Sequence, residues 1–157
     1  MKPATTVHVR YMVDDVAAAL DFYTTHLGFT PDIQFPPAFA DAYRGNLRLL
    51  LSGPASSAGR PMPDGVRPGP GGWNRIHLIV HDLESEVTRL KNTGVPFRNE
   101  IVTGAAGSQI LIQDPAGNVI ELFQPAAYDD ESVVSSDLRR SVSGSRPPPE
   151  PKPKDAR

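Results

Sequence analysis

Residues 113–125 read QDPAGNVIELFQP, two apolar runs meeting at Asp114-Pro115-Ala116-Gly117-Asn118. Each of these turn residues has its own reason to be there. Asp and Asn side chains bond the backbone close to themselves, proline presets φ, and glycine accepts a positive φ. The stretch predicts a hairpin with strands over 109–113 and 119–123. Glu121 interrupts the apolar run VI-E-LF, and a buried acid must find a partner.

Upstream of the hairpin, residues 96–102 look extended. Gly94 closes a helix that Asp82 caps and that runs to about residue 93, with Leu83, Val87 and Leu90 at helical spacing. A strand over 75–80 comes before it. The same order of signals occurs earlier in the chain. Residues 7–13, VHVRYMV, predict a strand. Asp15 caps a helix over 16–27 whose apolar face is Val16, Ala19, Leu20, Tyr23 and Leu27, and Gly28 ends it. Residues 29–35 look extended, and Pro36 and Pro37 break them. Residues 39–43 and 46–52 form a hairpin about Arg44-Gly45-Asn46.

These landmarks repeat in order. Asp15 and Asp82 stand 67 residues apart, Gly28 and Gly94 stand 66 apart, and Pro54 and Pro125 stand 71 apart. LRLLLSGP, residues 47–54, lies over VIELFQPA, residues 119–126. The chain therefore reads as two βαβββ modules, about 5–54 and 73–126, inside one domain over 1–128. Two copies can bury a shared face that neither buries alone. The Pro/Gly-rich loop 53–72 is long for a connection and reads as a linker or lid. Residues 129–157 contain RPPPEPKPK and little apolar content, so they read as a disordered tail with polyproline II character.

Composition narrows the function. A formal net charge of -2 over 157 residues argues against nucleic acid or an anionic membrane surface as partner. The absence of cysteine excludes disulfides, thiolate metal sites and a cysteine nucleophile, and it fits a cytoplasmic setting. The N-terminus lacks a signal-peptide core, and no apolar run approaches the roughly 20 residues of a membrane span.

HVRYMVDDVAAALDFYTTHLGF, residues 8–29, resembles the first strand and helix of the vicinal oxygen chelate superfamily, the glyoxalase / bleomycin-resistance / dioxygenase group. QDPAGNVIELFQP is similar to its signature final hairpin. The resemblance spans roughly residues 6–126. It implies an α+β fold in which the tandem modules form a curved mixed sheet around a cavity. It leaves the activity open, because that group contains lyases, dioxygenases, epimerases, thiol transferases and drug binders.

The resemblance also implies a metal held by one inward side chain from the first and last strand of each module. Seven residues before each capping Asp lie His8 and Arg75, and the last-strand positions are Leu50 and Glu121. Two of these four bind divalent metal. Leucine does not, and a guanidinium donates only and repels cations. His77 shares a face with Arg75 and can restore a His8, His77, Glu121 triad for zinc, nickel, manganese or iron. Arg10 is its repeat mate. Arg75 can instead form an ion pair with Glu121 where the family has a metal.

Three readings follow. A metal-free module binds, and in the drug-binding manner sequesters, an anionic or carbonyl-bearing small molecule through Arg10, Arg75, His77 and Trp73. A metal-dependent lyase, isomerase or dioxygenase uses His8, His77 and Glu121. An acid–base enzyme uses His8 or Glu121 without metal. The binding module ranks first. Trp73, at the edge of the long loop, can cover a ligand. Asp114, Gly117 and Asn118 are read as turn formers without a catalytic role, and a homodimer is expected because modules of this group often pair between chains.

Overall fold

The computed structural model describes residues 7–126, in the order β1 (Val7–Met12), α1 (Val16–His26), β2 (Thr30–Phe35), β3 (Phe39–Arg44), β4 (Leu47–Ser52), β5 (Ile76–Ile79), α2 (Leu83–Asn92), β6 (Val102–Gly104), β7 (Gly107–Gln113) and β8 (Val119–Pro125). The tail assigned to residues 129–157 lies outside the described residues. The strands form two four-stranded sheets, ordered β1-β4-β3-β2 and β5-β8-β7-β6. In each sheet the first and last strands of the module pair in parallel and the other neighbours are antiparallel. The fold is α+β, built of two tandem βαβββ modules.

The helices form where capping and spacing predict them. The Asp15 carboxylate accepts the Ala18 N–H at 3.0 Å, and Asp82 accepts the Ser85 N–H at 3.1 Å. Gly28 at φ +70° and Gly94 at φ +78° follow the two helix ends, a conformation that costs a glycine little. α2 buries Leu83, Val87 and Leu90, with acids in its first turn and bases in its last, which complements the helix dipole. α1 buries Val16, Ala19, Phe22 and Tyr23. The core is one continuous cluster drawn from both modules, including Leu49, Leu51, Ile110, Ile112, Ile120 and Leu122.

Two segments differ from the sequence expectation. The extended stretch at 96–102 contributes only a bridge between Phe97 and Ile112, and the edge strand β6 begins at Val102. The 53–72 loop carries a 3-10 turn at Ser57–Gly59. Ser56 caps it and accepts the Gly59 N–H while its hydroxyl donates to the Gly53 carbonyl at 2.7 Å.

The larger surprise is the 114–118 turn. Asp114 and Asn118 are 2% and 5% exposed, and they fasten the modules together. The Asp114 carboxylate accepts the Tyr23 hydroxyl at 2.8 Å, the Ala116 and Asn118 N–H groups at 2.9 Å and the Asn118 amide at 3.0 Å. Asn118 also donates to the Met12 carbonyl at 2.8 Å and accepts the Gly71 N–H at 2.8 Å. Tyr11 adds a second tie. Its hydroxyl donates to the Val119 carbonyl at 2.8 Å and accepts the Ile76 N–H at 2.7 Å. The turn that reads as a local device in sequence is thus an intermodule clamp.

Candidate ligand-binding site

β5 and β8 lie side by side in parallel, with His77 opposite Glu121. Period two puts the Arg75 side chain on the same side as His77. The structure brings the three together: Arg75 Nε donates to Glu121 Oε2 at 2.8 Å, and His77 Nδ1 stands 3.9 Å from Glu121 Oε1. Glu121 is 8% exposed, so its charge needs this partner. Arg75 Nη1 also donates to the Trp73 carbonyl at 3.2 Å, which ties the strap before β5 to the same centre. The pair is less enclosed than a core ion pair, because the Arg75 side chain keeps 30% of its exposure.

Two aromatic side chains lie on or next to the segments that carry this centre. His77 meets Phe123 edge-on, centroids 4.8 Å apart. Trp73 is 62% exposed, and the Arg98 guanidinium lies 4.9 Å from its ring centroid. Arg10, Arg75 and His77 line a groove of about 470 Å³ between β1 and β5. Arg10 Nη1 donates to Ser52 Oγ at 2.5 Å.

The repeat equivalence is visible in the register. Arg10 pairs with Leu50 across β1 and β4, as His77 pairs with Glu121 across β5 and β8. His8 sits on β1 opposite Arg48, exposed to solvent. The first module has an ion pair of its own on this sheet. Arg48 Nη1 binds both Asp41 and Asp32, with Asp32 at 2.9 Å, and the Asp41 carboxylate accepts the Ile33 N–H at 2.7 Å. These bonds hold the irregular part of β2 between Pro31 and Gln34. Sequence reading missed this group, although an Asp in one strand and an Arg in its neighbour were visible.

The residues present do not fit a metal centre. Among the described residues no three His, Asp or Glu side chains come together as a group able to hold a metal. Structural and catalytic zinc sites draw on at least three protein ligands, and here the acid of the centre, Glu121, is already bonded to a guanidinium.

Two tandem βαβββ modules, the second carrying the Arg75–Glu121 pair beside β5 and β8, define a class of protein by its fold. The chain belongs to the Glyoxalase/Bleomycin resistance protein/Dioxygenase superfamily, whose family model matches residues 5–122. No curated protein sequence matches it. Among solved structures it is similar to a member of the same superfamily from Sphaerobacter thermophilus, with 28% identity, TM-score 0.62, and coverage of 78% of this chain and 98% of that one. It is also similar to TnmS3, an antibiotic binding protein from Streptomyces, with 25% identity, TM-score 0.60, and coverage of 80% and 99%. A lactoylglutathione lyase from Agrobacterium tumefaciens shares the fold at 22% identity and TM-score 0.64, with coverage of 83% and 100%.

Proposed function

We propose that this protein is a metal-independent small-molecule-binding module of the glyoxalase/bleomycin-resistance type, which holds and sequesters an anionic or carbonyl-bearing ligand at Arg75. The observation that carries this reading is the Arg75–Glu121 bond at 2.8 Å, which commits the buried acid to a guanidinium. Arg75 still has N–H groups to offer, because two bonds use only part of its five-donor fork. Arg10 and His77 stand beside it along the groove, and the exposed ring of Trp73 offers a stacking surface. The similarity to an antibiotic binding protein supports the same reading. A cytoplasmic homodimer is part of the proposal; the absence of cysteine and the paired-module architecture support it.

A competing reading has one observation in its favour, the 3.9 Å approach of His77 to Glu121. It makes the protein a metal-dependent lyase, isomerase or dioxygenase using His8, His77 and Glu121, and it requires Arg75 to swing away. Calorimetric titration with zinc, nickel and manganese separates the two. The binding-module reading expects no tight one-to-one binding by the wild type and a gain of affinity in Arg75→His. Tight binding by the wild type would overturn it. Because Trp73 is the only tryptophan in the chain, its fluorescence reports ligands directly. Aromatic carboxylates are expected to quench it in the wild type and to lose at least tenfold in affinity in Arg75→Leu.

A further inference from the structure

A second cleft, of about 510 Å³, opens between the modules, where the end of α1 and the end of β3 meet the start of α2. Arg44, His26, His81 and Arg89 line it. Arg44 is half-buried, and among the described residues the one hydrogen bond of its guanidinium is a long one of 3.3 Å to the Ile79 carbonyl. Among the described residues no carboxylate lies within ion-pair distance of it. Burial pulls its pKa below the ordinary guanidinium value, and the field of Glu86 offsets this only in part.

The acids of the cleft are already engaged. Glu86 holds Arg89 at 2.5 Å, and Asp82 holds the N–H and hydroxyl of Ser85 at 3.1 and 2.7 Å. The carbonyl end of α1 opposes an anion here, but Arg89 already donates to the His26 carbonyl at 2.7 Å. A partly desolvated guanidinium with no carboxylate partner, set in a ligand-sized recess between histidines, is a charge that lacks its counterpart. A planar fork of donors suits an oxyanion.

We propose that this intermodule cleft is a second binding site, separate from the Arg75 groove, which takes a small oxyanion of the phosphate or carboxylate type on Arg44. Because the ligand spans both modules, it would stiffen their junction.

The chain has four histidines: His26 and His81 line this cleft, His77 lines the Arg75 groove, and His8 lies on β1 outside both linings. Imidazole proton NMR during titration with inorganic phosphate, and separately with acetate, against chloride at equal ionic strength, tests the site on the intact chain. The expected result is saturable movement of the His26 and His81 signals with either oxyanion and not with chloride. The stronger of the two oxyanions identifies the source chemistry. Arg44→Met should weaken that binding at least tenfold, and Arg44→Lys, which keeps the charge but not the fork, should weaken it less. Movement confined to His8 and His77, an equal response to chloride, or unchanged affinity in Arg44→Met would overturn the proposal. Loss of the Trp73 response to aromatic carboxylates would count against the groove reading alone.

Discussion

At the scale of single residues the Arg75–Glu121 pair carries most of the functional argument, and its strength can be measured. Exposed ion pairs contribute about 0–1 kcal/mol, whereas breaking a buried one costs about 3–5 kcal/mol. The Arg75 side chain is 30% exposed and that of Glu121 is 10% exposed, so the pair falls between these limits. Arg75→Leu is expected to cost about 2 kcal/mol, less than a fully enclosed pair would. Arg75→Leu with Glu121→Leu should recover much of the loss, since no charge is then stranded. Denaturant melts of the two single mutants and the double mutant check this, and strictly additive losses would show that the two residues do not act as a pair.

The two core tyrosines make a second residue-scale case. Burial raises the Tyr11 pKa to about 12, and Tyr23 is raised further by burial and by the neighbouring Asp114 carboxylate. Both hydroxyls therefore stay neutral in the folded state after they ionise in the unfolded chain. The stability they lend is complete below about pH 10, the unfolded tyrosine value, and falls as pH rises from there through about 12. Urea midpoints should decline over that window, and Tyr11→Phe should flatten the decline while lowering stability at neutral pH. A midpoint independent of pH between 9 and 12 would contradict this.

At the scale of elements the β7–β8 turn matters more than its sequence suggests. Asp114 serves Tyr23 on α1 and its own turn, and Asn118 serves β1 and the loop before β5. Hydrogen bonds to charged groups contribute about 1.5–3 kcal/mol each, and an abandoned buried donor adds its own desolvation cost. Asp114→Ala is therefore expected to destabilise by about 3 kcal/mol or more, where an ordinary surface turn would lose far less. Asn118→Ala should also loosen the strap that carries Trp73 and Arg75, which amide hydrogen exchange at residues 71–76 would report. Unchanged exchange there would show that Tyr11 and the Arg75 bonds to Glu121 and the Trp73 carbonyl hold the strap without Asn118.

At the scale of the whole molecule the core is shared, so neither module is expected to fold by itself. The last sheet closes at β8, after which the Ala126 N–H bonds the Ala106 carbonyl at 3.0 Å. A chain cut after residue 130 is expected to keep its thermal midpoint, and a drop of many degrees would place the domain boundary further on. Light scattering is expected to give twice the 17.0 kDa chain mass. Phe35 and Ile33 on the outer strand β2, 68% and 43% exposed, are the natural residues to test if it does.

The architecture was legible in the sequence because it is written in local chemistry. Capping aspartates, C′ glycines and period-two apolar runs specify elements over a few residues, and their repetition specifies two modules. The Arg75–Glu121 meeting was also legible, because the family resemblance puts both positions around one centre, and the two side chains do bond there. Three things were decided only by the tertiary structure. Asp114 and Asn118 read as turn formers because their partners, Tyr23 and Met12, lie about a hundred residues away, and no spacing rule reaches that far. The Arg48–Asp41–Asp32 group forms because β3 and β2 happen to bring both acids to one guanidinium. Arg44 looked like part of a turn, and it became a candidate oxyanion donor only once packing of the second module had half-buried it against Ile79 without supplying a carboxylate. Local sequence specifies hydrogen bonds that close within a turn or a helix; burial and pairing of charge depend on which surfaces meet, and that is a property of the folded whole.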